Sequence, residues 1–267
     1  MNSEELKRLP VTLVTGASMG IGRALAEAFA RKGHHLLLVA RSGDLLEALA
    51  EELREGYGGR VFCCASDLAE HNGPERVFRF AAQHDLAVRI LVNCAGISRA
   101  GVFSDLPFHD LDTIVSVNVI ASAKLIRLFL PEMLAERKGT VINMASLGGA
   151  QGVPGLALYS ATKSFMITLT EALHAELDGT GINVIAVCPG FVDTGFLEKA
   201  QHGRHGIKLP VYAVSLVVRA VLRSLEKPRM LVYPTLLDFF LVFLQRFASR
   251  KTAVRISGFF AAAKGNR

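Results

Sequence analysis

Short apolar runs alternate with longer segments of helical periodicity along most of the chain. Unbroken apolar runs predict buried strands, and apolar residues three or four positions apart predict amphipathic helices. This alternation is typical of strand–helix–strand units that build a parallel sheet. We therefore predict one α/β domain over residues 1–267, a doubly wound Rossmann-type sheet with helices on both faces. The predicted strands are Val11–Thr15, His35–Ala40, Arg60–Cys64, Ile90–Asn93, Gly139–Ala145, Asn183–Cys188 and Met230–Tyr233, and the predicted helices are Ile21–Lys32, Asp44–Glu55, Pro74–Gln83, Leu111–Arg137 and Tyr159–Asp178.

The composition is that of an ordinary globular chain and excludes a disordered one. Of the 267 residues, 51% are hydrophobic and 20% are charged, which is enough apolar surface to form a core. Met1–Pro10 is charged and lacks the apolar centre of a signal peptide, so we expect a cytoplasmic protein. The four cysteines lack the spacing of a zinc site or of a disulfide framework, so no metal site is predicted.

A glycine-rich turn follows the first predicted strand and leads directly into a helix. It reads Gly16-Ala17-Ser18-Met19-Gly20-Ile21-Gly22. Glycines let the backbone approach a pyrophosphate, and the free N–H groups at a helix start favour an anion. The spacing, Gly-x3-Gly-x-Gly, differs from the common Gly-x-Gly-x2-Gly fingerprint. Because sites in doubly wound sheets lie at the carboxyl ends of the strands, the turn predicts a dinucleotide site.

The end of the second strand indicates which dinucleotide is bound. An Asp or Glu about 20 residues beyond the glycines usually meets a free ribose 2′-hydroxyl. Arg41 and Ser42 stand there instead, and a cation suits a 2′-phosphate. The position therefore favours NADP(H) over NAD(H), with a solvated arginine at a strand end as the alternative.

Tyr159 and Lys163 form a candidate reacting pair. They are four positions apart at the start of a predicted helix, so they share one face. An ammonium near a phenol favours the phenolate and would let the tyrosine exchange a proton with a carbonyl or alcohol oxygen. Ser146 follows a predicted strand and places a hydroxyl at the same end of the sheet. A simple surface pair is the alternative for Tyr159 and Lys163 taken alone.

These motifs together resemble the classical short-chain dehydrogenase/reductase family over about Pro10 to Thr194. The resemblance implies a seven-stranded parallel sheet, and a homodimer or homotetramer. It also implies that Tyr159 is the general acid/base, that Lys163 lowers its pKa and grips the nicotinamide ribose, that Ser146 holds the substrate oxygen and that Asn118 holds a water in the proton path. The motifs that carry the resemblance are Thr15-Gly16-x3-Gly20-Ile21-Gly22, Asp67, Asn93-Cys94-Ala95-Gly96, Asn118, Ser146, Tyr159-x3-Lys163 and Pro189-Gly190.

The resemblance also implies the set of residues that contact the cofactor. Asp67 would contact the adenine, and the Val192 backbone and Thr194 hydroxyl would meet the nicotinamide amide. Two positions depart from the family pattern: Cys94 replaces the usual second Asn, and Met19 stands where many NADP-using members carry a basic residue. The cofactor residues expected are Gly16, Ser18, Met19, Gly20, Ile21, Gly22, Arg41, Ser42, Asp67, Leu68, Asn93, Ala95, Gly96, Tyr159, Lys163, Pro189, Gly190, Val192 and Thr194.

Two segments should determine substrate specificity. Leu147–Pro154 is small and apolar, with no charged pair to clamp a charged substrate. Gly195–Leu209 is predicted to be a mobile lid; it contains His202, Gly203, Arg204, His205 and Gly206. Arg204 could bind a charged group, although a solvated arginine is the simpler reading. We therefore expect a hydrophobic substrate.

The net charge of +6 is concentrated near the C-terminus. Residues 227–267 hold eight Lys or Arg against the single acid Asp238, a balance of +7, which leaves −1 on residues 1–226. That distribution disfavours a nucleic-acid-binding enzyme, in which cations more often cover a face of the body.

The same C-terminal region carries an apolar stripe at helical spacing. Residues 235–267 are interpreted as a basic amphipathic extension. A stripe next to cations and aromatics is typical of a helix at a membrane interface, and it also fits a subunit contact or a cover over the active site. The stripe comprises Leu236, Phe239, Phe240, Phe243, Leu244 and Phe247, and it is followed by Arg246, Arg250, Lys251, Arg255 and Phe259-Phe260.

Three functions remain open on the sequence. The first is an NADP(H)-dependent oxidoreductase that reduces a hydrophobic ketone or aldehyde, lipid- or acyl-type substrates included. The second is an NAD-dependent alcohol or hydroxysteroid dehydrogenase, against which Arg41 counts. The third is a non-catalytic membrane-surface or scaffolding protein of the same fold, against which the complete reactive set counts.

Overall fold

A computed structural model describes residues 8–202 and 207–261. In chain order its strands are β1 (Leu9–Thr15), β2 (His35–Ala40), β3 (Val61–Ala65), β4 (Leu86–Asn93), β5 (Gly139–Met144), β6 (Ile182–Val187), β7 (Val192–Asp193), β8 (Tyr212–Ala213) and β9 (Leu231–Val232). Seven of them form one parallel sheet in the order β3-β2-β1-β4-β5-β6-β9. This is the doubly wound sheet predicted from the alternating pattern. β7 and β8 form a separate two-stranded sheet.

Helices cover both faces of the sheet because each central strand is apolar on both sides. The helices are α1 (Gly20–Arg31), α2 (Gly43–Tyr57), α3 (Gly73–Gln83), α4 (Phe108–Val115), α5 (Ser122–Ala135), α6 (Ala157–Glu176), α7 (Phe196–Lys199), α8 (Val214–Glu226), α9 (Leu236–Leu244) and α10 (Arg250–Ala261). Side chains of α1, α2 and α8, including Phe29, Leu49 and Val221, form the core on one face. Side chains of α3 and α5, including Val77 and Phe129, form the core on the other, with α6 packed against it.

Most predicted elements are confirmed, and the differences fall at element ends and beyond residue 190. β4 begins at Leu86, four residues before the predicted start, and the seventh strand is reduced to Leu231–Val232. α8 was not predicted, nor was the β7–β8 pair. The four cysteines are free thiols, and Cys64 and Cys188 are buried.

The predicted helix Leu111–Arg137 is a helical stretch from Phe108 to Ala135 with a π-helix, Ser116–Ala121, at its centre. Within the described ranges, it is the one helix long and apolar enough to cross a membrane by length and composition, and 44% of its most apolar window is buried inside the protein. Phe129 and Met133 of this helix pack in the core under the sheet.

The predicted lid contains α7 and is only partly described. Gly203, Arg204, His205 and Gly206 lie outside the described residues, as do residues 262–267. The flanking residues contact the C-terminal helix: Nε2 of the buried His202 lies 2.8 Å from the carbonyl oxygen of Ala261, and the Lys208 amide donates to Phe260. The lid segment and α10 are therefore in contact beside the carboxyl edge of the sheet.

Candidate active site

The turn after β1 has a backbone that glycine adopts without strain. Gly16 and Gly20 have φ angles of +67° and +56°, in the left-handed region that favours glycine. A Cβ at Gly22 would lie 2.2 Å from the Gly16 carbonyl oxygen, so the helix can start this close to the strand only with glycine there. α1 begins with no side-chain cap and no acid in its first turn, which leaves its N-terminal amides to bind an anion.

The glycine turn rests on the loop that follows β4. The Thr15 hydroxyl oxygen accepts the amides of Cys94 and Ala95, at 2.9 and 3.0 Å. A Cβ at Gly16 would lie 2.9 Å from the Ala95 Cα. Two of the predicted cofactor segments therefore form one continuous backbone surface at the carboxyl edge.

Arg41 and Ser42 are exposed at the end of β2. The Arg41 guanidinium forms no ion pair within residues 8–202 or 207–261. Asp67 follows β3, where its Oδ1 accepts the Ala69 amide at 2.9 Å, and Leu68 is buried beside it. The loops after β2 and β3 therefore place the Arg41 guanidinium and the hydrogen-bonded carboxylate of Asp67 at this end of the sheet.

Lys199 is a further cation near the glycine turn that the sequence did not indicate. Its Nζ lies 2.8 Å from Sδ of Met19 in the glycine turn. Ser18 is half-buried beside it. The two residues are 180 positions apart, so no local pattern could have paired them.

The reacting groups meet where β5 ends and α6 begins. Lys163 is buried, and its Nζ donates to the Met144 carbonyl at 2.7 Å and lies 5.6 Å from the centroid of the Tyr159 ring. The Ser146 hydroxyl accepts the Gly148 amide at 3.1 Å and hydrogen-bonds to Tyr159. The predicted trio is therefore brought together, and the alternative of a surface pair does not apply.

Asn118 lies in the π-helix behind this trio. Its Oδ1 accepts the Ile97 amide, and its Nδ2 donates to the Ile97 carbonyl, both at 2.9 Å. Nδ2 also donates to the Thr162 hydroxyl at 3.0 Å. A Cβ at Gly96 would lie 3.3 Å from Nζ of Lys163 and 3.5 Å from Oδ1 of Asn118. The side chain thus fixes the loop after Gly96 against the helix that carries Lys163.

Burial dominates the electrostatics of the pair. Desolvation raises the pKa of Tyr159 to about 12, although the hydrogen bond from Ser146 acts in the other direction. Desolvation likewise lowers the pKa of Lys163 to about 8. Nearby positive charge favours phenolate, as predicted from the sequence, but burial has the larger effect in the structure. At neutral pH the tyrosine is therefore a protonated acid beside a charged lysine.

Asn93 connects the end of β4 to the elements around the reacting groups. Its buried side chain donates to Asn143 Oδ1 at 2.9 Å, and Asn143 donates to Thr170 at the same distance. Asn93 Oδ1 is buried without a hydrogen-bond partner in the described part of the chain. The amide ladder joins β4 to β5 and α6, the two elements between which the reacting groups meet.

The Pro189–Gly190 loop closes the other side of the cleft. The Pro189 carbonyl accepts the Leu147 amide at 2.9 Å, which ties this loop to the segment after Ser146. Val192 is buried in β7, and the Thr194 side chain lies against Gly20, 3.4 Å from where its Cβ would be. Thr194 therefore joins the segment after Pro189–Gly190 to the glycine turn.

Tyr212 and Asp238 anchor this loop, and sequence reasoning missed both. The Gly190 amide donates to the Tyr212 hydroxyl, and that hydroxyl donates to Asp238 Oδ2, each at 2.8 Å. Asp238 is 2% exposed and also accepts the Thr235 amide in a capping box. Burial raises the pKa of its carboxyl group. The available signal was Thr-x-x-Asp before an apolar run, which marks a helix start.

The substrate side of the cleft is apolar. Val153 and Leu156 are buried against Ala261 of α10, with Tyr159 and Phe191 packed on them. The Ser257 hydroxyl of α10 donates to the Gly152 carbonyl at 2.9 Å. The C-terminal helix therefore covers part of the segment that was predicted to contact substrate.

The arrangement fits a nicotinamide dinucleotide. Such a ligand needs backbone without side chains at its pyrophosphate, an uncapped helix start and hydrogen-bonding groups at its far end. The crowded Gly16 and Gly22, the start of α1, and Lys163 with Asn93 Oδ1 supply these features.

Comparison with known proteins agrees with this site. The family model described as short chain dehydrogenase matches residues 10–205. The ketoacyl reductase HetN of Nostoc sp. is 32% identical over 213 residues, which are 78% of this chain and 74% of that protein.

Solved structures share the fold along most of its length. A short-chain dehydrogenase from Sphingobium yanoikuyae in complex with NADPH is 33% identical, with a TM-score of 0.79 over 85% of this chain and 89% of the other. A bulky-bulky ketone specific alcohol dehydrogenase from Comamonas testosteroni is 30% identical, with a TM-score of 0.75 over 90% and 93%. A Burkholderia phymatum enzyme in complex with NAD, 24% identical with a TM-score of 0.81 over 90% and 94%, shares the fold.

The buried ammonium of Lys163 predicts a pH-dependent difference in stability between the protein and its Lys163→Met variant. The pKa of Lys163 is lowered to about 8, so above that pH the unfolded chain binds a proton that the folded protein has lost. The free energy of unfolding of the wild-type protein, relative to the variant, should therefore rise by about 2 kcal/mol between about pH 7.5 and pH 9.5. Urea denaturation at the two pH values measures this difference.

The matched control is Lys138→Met, which removes an exposed lysine. The difference in free energy of unfolding between the wild-type protein and Lys138→Met should not change with pH in this way. A constant difference for Lys163→Met would contradict the desolvation of its ammonium.

The hydrogen bonds of Tyr212 predict that Tyr212→Phe lowers the stability of the fold and weakens cofactor binding at the Pro189–Gly190 loop. The change leaves the Gly190 amide without its acceptor and Asp238 Oδ2 without one of its two donors, so we expect a loss of about 1–3 kcal/mol in the free energy of unfolding. NADPH affinity, followed by the fluorescence of the nicotinamide, should fall several-fold. Tyr233→Phe, at a neighbouring half-buried tyrosine, should leave it unchanged. Wild-type NADPH affinity in a destabilised Tyr212→Phe protein would mean that the hydrogen bonds support only the C-terminal segment.

Proposed function

The chain belongs to the short-chain dehydrogenase family, and we propose that it is an NADP(H)-dependent oxidoreductase that reduces hydrophobic ketones or aldehydes. The observation that carries the proposal is the meeting of Tyr159, Ser146 and Lys163 at one end of the sheet, beside the glycine turn. Each of these side chains has a defined task in the reduction of a carbonyl group.

NADPH, when bound, supplies the hydride that adds to the carbonyl carbon. Tyr159 donates its hydroxyl proton to the carbonyl oxygen, which becomes the alcohol. Ser146 holds that oxygen by a hydrogen bond while the negative charge develops. These roles need a tyrosine that is protonated at neutral pH, and the raised pKa of Tyr159, about 12, supplies one.

Lys163 compensates for the phenolate left after proton transfer. Its pKa of about 8 keeps the ammonium charged at neutral pH, and an adjacent positive charge stabilises an anion in a buried site. Asn118 holds the Ile97 backbone behind Lys163, and we assign it the family's role of placing a water on the path by which the proton is replaced.

The preference for NADP(H) rests on cations at the adenosine end. Arg41 is exposed at the end of β2 where a carboxylate would select a free ribose hydroxyl, and Lys199 supplies a second cation at Met19. An arginine can form two hydrogen bonds to a phosphate. This supports a 2′-phosphate contact by Arg41, with Ser18 and Ser42 as neutral donors nearby.

The preference for a hydrophobic substrate rests on the lining of the cleft. Val153, Leu156 and Phe191 present apolar surface beside Tyr159, and the ring centroid of Phe196 lies 5.8 Å from that of Tyr159. A buried charge on the substrate would need a partner, and these side chains offer none. The ketone-specific and ketoacyl-reducing relatives support the same substrate class.

Replacement of Tyr159 by phenylalanine should stop proton transfer and leave binding intact. We expect kcat to fall by about 10²–10⁴, with the affinity for NADPH little changed, when NADPH oxidation is followed with a panel of apolar ketones and aldehydes. Tyr57→Phe, at an exposed tyrosine on α2, is the matched control and should retain full activity. An unchanged kcat in Tyr159→Phe would remove this residue from the reaction.

Reversal of the charge at Arg41 should change which coenzyme is bound. Loss of a charge-assisted hydrogen bond costs about 1.5–3 kcal/mol, so Arg41→Asp should weaken NADPH binding by about 10- to 100-fold. NADH binding should be unchanged or stronger. Arg79→Asp makes the same charge change at an exposed residue of α3 and should affect neither coenzyme. Equal losses for NADPH and NADH would show that Arg41 does not meet the phosphate.

A further inference from the structure

Helix α9 presents an unusually apolar surface to the solvent. We define the α9 face as Leu236, Leu237, Phe239, Phe240, Phe243, Leu244 and Phe247, all of which are exposed. Leu236 and Phe247, at its two ends, are each 77% exposed. Isolated exposed apolar residues are normal on proteins, but a contiguous apolar patch marks an interaction site.

Polar contacts fix the orientation of this helix. Asp238, the one charged residue of α9, points inward and is 2% exposed, held by Tyr212 and the capping box with Thr235. A rotation that buried the phenylalanines would break the hydrogen bond from Tyr212 to Asp238. The α9 face is therefore held toward the solvent. In most surface helices the apolar face turns toward the core instead.

The aromatic rings of the α9 face pack on one another. The ring of Phe239 lies 5.9 Å from that of Tyr233 and stacks at 5.7 Å on that of Phe243, which in turn meets Phe247 at 5.5 Å. These contacts hold the exposed rings in place, so little side-chain freedom is left to lose when the surface docks.

The charge around the α9 face indicates the chemistry of its partner. Arg246 precedes Phe247 of the face, Arg250, Lys251 and Arg255 follow it along the chain, and all four are exposed. Asp238 is the one acid in residues 227–267, and it is buried. A second copy docked through the same face would bring two such groups of cations together, and like charges across an interface are costly. An anionic surface complements them.

The length of α9 limits how it can meet a bilayer. Nine residues of helix extend about 14 Å, which is less than half of the roughly 30 Å hydrocarbon core. A helix of this length lies in the plane of the interface, with aromatic and leucine side chains at the headgroup boundary and cations at the headgroups.

We propose that the α9 face docks on a lipid bilayer that carries anionic headgroups. Phe240, Leu244 and Phe247 enter the boundary between headgroups and acyl chains. Arg246, Arg250 and Lys251 contact the headgroups. No residue of the α9 face is among those assigned to the cofactor or to the reaction, so binding to lipid does not require turnover.

Co-sedimentation of the full chain with vesicles tests the proposal. We expect binding to phosphatidylcholine vesicles that contain about a quarter phosphatidylserine, weak binding to phosphatidylcholine alone, and release by about 0.5 M salt. Arg250→Gln/Lys251→Gln removes two exposed cations and should lower the partition coefficient about 25-fold, since each contributes about fivefold. Phe240→Ser/Phe247→Ser should lower it at least as much.

Arg79→Gln/Arg127→Gln is the matched control. It removes two exposed cations from α3 and α5 and should bind vesicles like the wild-type protein. Circular dichroism of each variant checks that the fold is kept.

Two results would overturn the proposal. One is equal, salt-insensitive binding to vesicles with and without phosphatidylserine. The other is no vesicle binding, together with a dimer in light scattering that Phe240→Ser/Phe247→Ser dissociates, which would assign the α9 face to a second copy of the chain.

Discussion

The Lys163 ammonium is a charge held in the protein interior, and the elements around it are arranged to keep it there. Its Nζ donates to the Met144 carbonyl at the end of β5, 2.7 Å away. α6 passes so close to the turn after β5 that a Cβ at Gly149 would lie 2.6 Å from the Lys163 carbonyl carbon. The same close packing desolvates the ammonium and lowers its pKa to about 8. Burial and reactivity at this site are therefore two results of one packing arrangement, since a more open cleft would lose both.

Sequence patterns predicted the strands and the reacting trio because both depend on local spacing. Buried strands of a parallel sheet are unbroken apolar runs, and Tyr159 and Lys163 share a face at four positions apart. The π-helix around Asn118 escaped prediction because one inserted residue barely alters an apolar periodicity. The contacts of Lys199 with Met19 and of Tyr212 with Asp238 join segments that are remote along the chain. Their existence depends on how the layers fold over the carboxyl edge, which no local pattern contains.

The C-terminal extension shows hydrophobic and polar requirements in competition. The stripe from Leu236 to Phe247 was found by its helical spacing, and hydrophobicity alone would turn that stripe inward. The structure turns Asp238 inward instead, because a buried carboxylate with its hydrogen bonds satisfied also satisfies Tyr212 and the start of the helix. Turning Asp238 outward would leave the part-buried Tyr212 hydroxyl without its acceptor, at a cost of about 1–3 kcal/mol. α10 behaves differently: Ala253 and Ala261 face the protein, and this helix covers the apolar side of the cleft.

Two structural requirements exclude a side chain at Gly190, and this has an evolutionary consequence. As part of the Pro-Gly motif it keeps the cofactor loop compact, and a Cβ there would lie 2.7 Å from Asp238 Oδ1. A side chain at position 190 would therefore displace the Asp238 carboxyl group, which holds the start of α9. A chain without α9 would be free of that second restriction. Across a lineage that shares α9, Tyr212 and Asp238 should be inherited and lost together, even where the coenzyme or the substrate has diverged.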